Sequence, residues 1–259
     1  MDALDDVLDR LEALDEADDH DALRAALTQA RARFPNTPEL REWEASVAAG
    51  EERFEDALAI LDGLLASHPD RAWARGERAA LLLDLGRFDE ALAALRALPR
   101  EDDPFERAGV HHDLGLCLDR LGQLAAADAE FRCAARLAPE DFAIPLRLAA
   151  DRFETLVAEA LDDLPEEFAR HLDQVVVRVS DYPAPEDGDP FLLGLYLGVA
   201  RPDRTLITAD HLDHIVVFKR SHELRCADEA ELHEEVRRTV IHEIAHHFGI
   251  AHEDMGDYR

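Results

Sequence analysis

The sequence has little positive charge and no long apolar run. Its 259 residues include 58 acidic and 28 basic side chains, a formal net charge of −30, and Lys219 is its single lysine. Such an acidic chain is poorly suited to bind nucleic acid phosphates or anionic lipid, so we expect no nucleic acid partner. No stretch reaches the roughly 18 to 20 apolar residues of a membrane helix, so we expect no membrane partner.

Cysteine is also scarce, and the N-terminal residues lack the features of an export signal. Cys117, Cys133 and Cys226 are odd in number and do not show the spacing of disulfide or metal-binding pairs. The opening residues, MDALDDVLDR, are acidic and contain no apolar segment typical of a secretory signal. Both observations predict a reducing, cytoplasmic location.

The first half of the sequence contains repeats. Residues 110–141 form a pattern of two amphipathic helices around Gly122, and the segment ends near Pro139. The strings ERFEDAL and GRFDEAL are 34 residues apart, which is the period of the tetratricopeptide repeat, and this half resembles that family. The resemblance implies an α-helical solenoid over residues 1–140, with three repeats and a degenerate leading one. A solenoid of this kind presents a groove to a peptide or protein partner.

A different pattern begins at about residue 141 and predicts a small α+β domain over residues 141–259. The segment from Asp141 to Phe168 favours one long helix, in which Pro145 is near the start. VVVRV, RTLIT and HIVVFK are rich in β-branched residues and predict short strands. The last helix is expected over residues 229–248, because Gly249 can adopt the left-handed conformation that ends a helix.

The sequence HEIAHHFGIAH near the C-terminus has the spacing of a metal site. His242 and His246 are four residues apart on the predicted helix, so both can bind one metal ion, and Glu243 beside them can activate water. Gly249 permits a turn that returns His252 as a third ligand. This set predicts a Zn²⁺ cofactor bound by His242, His246 and His252, with Glu243 as the catalytic residue.

The extended motif HExxHxxGxxH is also the metzincin signature, but a metzincin requires a later Met-turn. Seven residues follow His252 here, and Met255 is too close to it to form that turn. The segments LPEEF, VVVRVSDYP, LLGLYLG, HIVVFKRS and VRRTVIHEIAHHFGIAHEDM together resemble small bacterial zincin-like metallopeptidases. Members of that family commonly have Asp at the position of His252, so the third ligand departs from their pattern.

The resemblance implies a zinc metallopeptidase of the endopeptidase type, in which Glu243 activates a zinc-bound water that hydrolyses a peptide bond. The tetratricopeptide half would recruit the protein substrate or a partner. Three questions stay open: Glu253 or Asp254 could replace His252, Tyr258 or Tyr196 could stabilise the oxyanion, and the strand at 215–218 is a candidate edge for the substrate. The alternative function is an interaction scaffold with a structural or inactive zinc site.

Overall fold

The computed structural model describes residues 4–99, 102–164, 166, 175–198 and 213–247. The polypeptide divides into two compact units, Met1–Leu137 and Ala138–Arg259. No helix within the described residues has the length and apolar character needed to span a bilayer.

The first unit is built from antiparallel helix pairs. Their bounds are α1 Leu4–Glu16, α2 His20–Arg33, α3 Pro38–Gly50, α4 Phe54–Ser67, α5 Ala72–Asp84, α6 Phe88–Arg96, α7 Pro104–Arg120 and α8 Leu124–Leu137. Small and medium apolar side chains such as Ala57, Leu61 and Ala91 are fully buried between the helices. The predicted helical solenoid is confirmed.

The turn inside each pair has the same construction. Asp18, Glu52, Gly86 and Gly122 have positive φ angles of 56°, 59°, 67° and 72°, and they follow one another at intervals of 34, 34 and 36 residues. In each turn the residue that follows the positive-φ position donates its backbone N–H to the carbonyl of the residue five positions before it, at 2.8 to 3.1 Å. These bonds satisfy carbonyls that the end of the first helix would otherwise leave unpaired. The repeat in the sequence is therefore a repeat of one helix-ending motif.

Close packing within the α7–α8 pair depends on a glycine. A Cβ atom placed on Gly115 would lie 2.6 Å from the ring of Phe131, and that ring is fully buried. The absence of a side chain at Gly115 lets α8 bring an aromatic ring against the backbone of α7.

The second unit contains a three-stranded sheet and flanking helices. Its elements are α9 Ala150–Asp162, β1 Val175–Ser180, a 3₁₀ turn Pro185–Asp187, β2 Gly194–Leu197, β3 Asp213–Phe218, α10 Lys219–Arg225 and α11 Glu229–His247. The strand order is β1-β3-β2, with β3 parallel to β1 and antiparallel to β2. Apolar residues of α9, β3 and α11 pack into one core.

The strands predicted from VVVRV and HIVVFK are confirmed as β1 and β3, while RTLIT lies outside the described residues. The edge role expected for Ile215–Phe218 is wrong, because β3 pairs with a strand on each side. Pairing order depends on contacts between distant segments, and the composition of a single strand does not fix it. Among the described strands, β2 is the edge that lies beside α11.

The prediction of one long helix from Asp141 is wrong in its first third. Residues 143–149 have no regular secondary structure, and α9 begins at Ala150. The amide of Leu146 donates to the carbonyl of Glu223 at 3.1 Å, and the amide of Leu148 donates to the Glu223 carboxylate at 2.6 Å. These amides therefore bond to α10 instead of to a preceding helical turn.

Candidate active site

Helix α11 carries the central residues of the candidate site. Its first turn is capped by Asp228, whose carboxylate accepts from the amides of Ala230 and Glu231, each at 2.9 Å. One face of the helix is locked in the core by residues at intervals of four: Leu232, Val236, Val240 and Ile244, all at most 1% exposed. A neighbouring face of the same helix is turned toward the cleft described next.

A cleft of about 330 Å³ lies between α11 and the chain that leads into β2. His242 and Glu243 line it together. The remaining lining residues come from the segment before β2, from the end of α10 and from α11: Asp189, Phe191, Leu192, Leu193, Gly194, Arg225, Glu235, Arg238 and Thr239. The first metal ligand and the catalytic residue predicted from the sequence thus share one cavity wall.

Glu243 is buried, with 7% of its surface exposed. Burial disfavours the charged carboxylate and raises the pKa of Glu243 to about 7, although a hydrogen bond from the backbone amide of Tyr196 opposes the shift. A carboxyl group with this pKa can both accept and release a proton near neutral pH.

Gly194 lets β2 approach helix α11. A Cβ atom at this position would lie 2.6 Å from Cγ2 of Thr239 and 3.1 Å from both Cγ and Oε1 of Glu243. The glycine therefore sets the spacing between the edge strand and the buried carboxylate.

A second contact, made by α10, holds α11 in position. His222 is fully buried, its Nδ1 lies 2.9 Å from the carbonyl oxygen of Phe218, and its Nε2 lies 3.0 Å from Oγ1 of Thr239. Since a carbonyl only accepts, Nδ1 carries the proton, and Nε2 accepts from the Thr239 hydroxyl. Thr239 lines the cleft one helical turn before Glu243, so this contact fixes the position of the helix that carries Glu243.

A buried charged group anchors α10 itself. Glu223 is fully buried and forms ion pairs with Arg220 and with Lys219, whose Nζ is 2.8 Å from Glu223 Oε1. Arg220 Nη1 also donates to the carbonyl of Leu146 at 2.9 Å. The single lysine of the chain thus lies inside the second unit, where removal of Glu223 would leave the charges of Lys219 and Arg220 without compensation.

The structure describes only part of the predicted site. His242 and Glu243 lie together in the cleft, and the backbone of His246 follows one turn later in α11. His252, with Gly249 and the alternatives Glu253, Asp254 and Tyr258, lies outside the described residues. The ring of Tyr196 packs against the core of the second unit, and it is the backbone amide of Tyr196 that contacts Glu243.

The donor set fits a zinc ion. His242 is half-buried on the cleft wall, and His246 follows at the four-residue spacing that lets two imidazoles of one helix share a metal. The carboxyl group of Glu243 lies at the same wall, and a cation bound there would favour its ionised form, which burial alone disfavours.

A second group of possible ligands lies in the first unit. His111, Glu130 and Cys133 have donor atoms within 4.8 Å of one another, and His111 Nδ1 is 2.6 Å from Glu130 Oε2. Nη2 of Arg136 donates to Cys133 Sγ at 3.1 Å. This guanidinium places a positive charge beside the sulfur and opposes a metal cation there.

Three residues that shape the site were not predicted from the sequence: Gly194, His222 and Thr239. Gly194 stands in an apolar segment with a further glycine, and His222 stands in the charged string KRSHE, which is typical of an exposed turn. Neither string contains a signal for contact with α11, because both contacts join segments far apart in the sequence.

Comparison with known proteins separates the chain into two parts. A family model described as a tetratricopeptide repeat matches residues 48–109, and one described as a zincin-like metallopeptidase matches residues 172–259. The solved structure of MamA (41-end) from Desulfovibrio magneticus RS-1 is 21% identical, with a TM-score of 0.49 over 54% of this chain and 78% of that chain. A tetratricopeptide repeat protein from Parabacteroides merdae is 16% identical, with a TM-score of 0.45 over 65% of each chain. The chain has a tetratricopeptide-repeat N-terminal half followed by a zincin-like metallopeptidase domain.

Proposed function

We propose that this protein is a zinc-dependent endopeptidase whose tetratricopeptide region recruits a protein substrate or partner. The observation that carries the proposal is the shared cleft of His242 and the buried Glu243, within the segment that matches zincin-like metallopeptidases. We assign recruitment to residues 1–140 and peptide hydrolysis to residues 141–259.

In this proposal His242, His246 and His252 hold the zinc ion. Zinc supplies Lewis-acid polarisation of the scissile carbonyl and makes water more acidic. The carboxylate of Glu243 takes a proton from the attacking water and delivers it to the leaving amine. The Tyr196 amide and the close approach of Gly194 keep this carboxylate in one position during both transfers.

The edge strand β2 offers a place for the substrate backbone. It pairs with β3 on one side, and its residue Gly194 lines the same cleft as Glu243. An extended peptide added to a sheet edge gains main-chain hydrogen bonds that do not depend on its side chains. We propose β2, in place of Ile215–Phe218, as the strand that aligns the substrate.

The proposal is tested by measuring zinc content and peptide cleavage in three proteins: wild type, His242→Ala and His233→Ala. His233 is a matched control, because it lies on the same helix and pairs with Asp163 at 3.6 Å, away from the cleft lining. We expect about one zinc per chain and cleavage of an unbiased peptide library by wild type and His233→Ala, and neither property in His242→Ala.

Two results would contradict the proposal. Wild type that takes up no zinc during reconstitution would exclude the metal site. Wild type that binds zinc but cleaves neither the library nor denatured protein would indicate a scaffold with a structural zinc site.

A further inference from the structure

Both tryptophans of the chain line one cleft in the first unit. Trp43 lies on α3 and Trp73 lies at the start of α5, and with side chains of α1 they surround a volume of about 410 Å³. The cleft thus crosses the first helix of three successive helix pairs. This arrangement places it on a surface formed by the repeats together.

The other lining residues follow helical spacing. On α1 they are Leu8, Glu12 and Asp15, and on α3 they are Glu39, Glu42 and Ser46. Intervals of three, four and seven residues place side chains on one face of a helix. The faces of α1 and α3 therefore present four carboxylates and the indole ring of Trp43 to one space, and α5 adds the ring of Trp73.

Part of this negative charge is already balanced by a guanidinium. Arg71 donates from Nη1 to Glu39 at 2.7 Å and from Nε to Glu42 at 2.8 Å, and its Nη2 also bonds to Glu42. Arg71 lowers the pKa of Glu39, so this carboxyl group stays ionised. The pairs also hold the carboxylates of α3 in fixed positions.

The carboxylates of α1 are arranged differently. Glu12 and Asp15 are exposed, and neither forms an ion pair with any residue in the described part of the chain. The four carboxylates and Arg71 together leave three formal negative charges at the cleft. Its electrostatic field therefore attracts a cation and repels an acidic peptide.

The indole rings add a second kind of selectivity. Trp43 packs against the buried core of the first unit, whereas Trp73 is 44% exposed. The ring of Trp43, which the core holds in place, and the exposed ring of Trp73 can both contact a flat cationic group. Tryptophan is the aromatic residue that best attracts a cation over its face. An aliphatic occupant would gain apolar contact but would remove water from the carboxylates without pairing them.

We propose that this cleft binds an arginine side chain of an extended segment in the recruited protein. The proposal rests on the recruiting role assigned above to residues 1–140. A guanidinium stacks on an indole and donates to two carboxylates at once, and it is less strongly hydrated than a lysine ammonium. Trp73 supplies the stacking surface, and Glu12 and Asp15 supply the acceptors.

The test is a titration of the full-length protein with a capped nonapeptide that has one central arginine among neutral residues. Intrinsic fluorescence is a direct signal, because both tryptophans of the chain line the cleft. The comparison peptide has citrulline, a neutral analogue of the same shape. We expect the arginine peptide to bind at least about tenfold more tightly than the citrulline peptide, with a dissociation constant below about 1 mM.

Charge variants locate the binding. We expect Glu12→Gln with Asp15→Asn to weaken arginine binding about tenfold. The matched control, Asp9→Asn with Glu16→Gln, removes the same charge from the same helix outside the cleft lining. It should change the affinity less than about twofold, because exposed charges at a distance are screened. Circular dichroism checks that each variant is folded.

Equal binding of the two peptides, or equal weakening by the two variant pairs, would overturn the proposal. So would an arginine peptide that produces no saturable change in fluorescence. All titrations contain a chelator, so the result does not depend on zinc or on peptide cleavage. Arginine binding without peptidase activity would support the arginine site and contradict the proposed enzyme. Peptide cleavage without arginine binding would support the enzyme and contradict the arginine site.

Discussion

The buried histidine of α10 should make the second unit sensitive to mild acid. His222 is fully exposed to solvent only when the unit unfolds, since in the folded protein it is buried between Phe218 and Thr239. Burial disfavours the charged imidazole and lowers the pKa of His222 to about 4, from an ordinary value of about 6.5. The perturbation that tests this is His222→Gln, which keeps a polar side chain but does not titrate.

The magnitude follows from proton linkage. Below pH 6.5 the unfolded chain takes up a proton on His222, whereas the folded chain does so only near pH 4, so acid favours unfolding. Crossing the whole range between the two pKa values corresponds to about 3 kcal/mol. Between pH 7.5 and 5.5 the expected loss from this one group is about 1 kcal/mol.

The assay is hydrogen exchange of the α11 amides at pH 7.5 and 5.5, which reports the opening free energy of this unit alone. Tryptophan fluorescence is unsuitable because both tryptophans are in the first unit. The lower pH of 5.5 stays above the isoelectric point of about 4.6, so the protein keeps a net negative charge. The opening free energy of His222→Gln should fall by about 1 kcal/mol less than that of wild type over this range. Thr239→Val, which removes the hydrogen bond but no titrating group, should keep the wild-type pH dependence. An unchanged pH dependence in His222→Gln would show that burial of His222 does not cause the acid sensitivity.

Two glycine substitutions test close packing in the two units. Gly115→Ala places a methyl group against the buried ring of Phe131 and should lower the free energy of unfolding of the first unit by about 1 to 3 kcal/mol, measured by urea titration of tryptophan fluorescence. A loss below about 0.5 kcal/mol would mean that the ring can move aside. Gly194→Ala pushes against Thr239 and Glu243 and should reduce peptide cleavage at least about tenfold while zinc content is unchanged. Unaltered cleavage would show that the spacing of β2 and α11 does not control Glu243.

The features that could be predicted from the sequence are local or periodic. The helix pairs follow from apolar residues at helical spacing, and the interval of 34 residues reappears in the positive φ angles of Asp18, Glu52 and Gly86. The placement of His242 and Glu243 on one helix follows from their neighbouring positions in a single amphipathic segment. These predictions need no knowledge of tertiary contacts.

The remaining features depend on contacts between distant segments. The amides of Leu146 and Leu148 donate to Glu223 and not to carbonyls of the predicted helix, although 75 residues separate Leu148 from Glu223. The central position of β3 likewise depends on which strands pair with it. Propensity and spacing describe a segment in isolation, so they could not predict the buried His222 or the approach of β2 to α11.

We propose that Glu243 activates water in a zinc-loaded peptidase. The most direct test compares the cleavage rate of wild type and Glu243→Gln, with the zinc content of both proteins measured in the same samples. Glutamine has nearly the same shape but cannot accept the proton, so we expect equal zinc content and a rate lower by about 10² to 10⁴. Equal cleavage rates in the two zinc-loaded proteins would show that Glu243 does not activate the water.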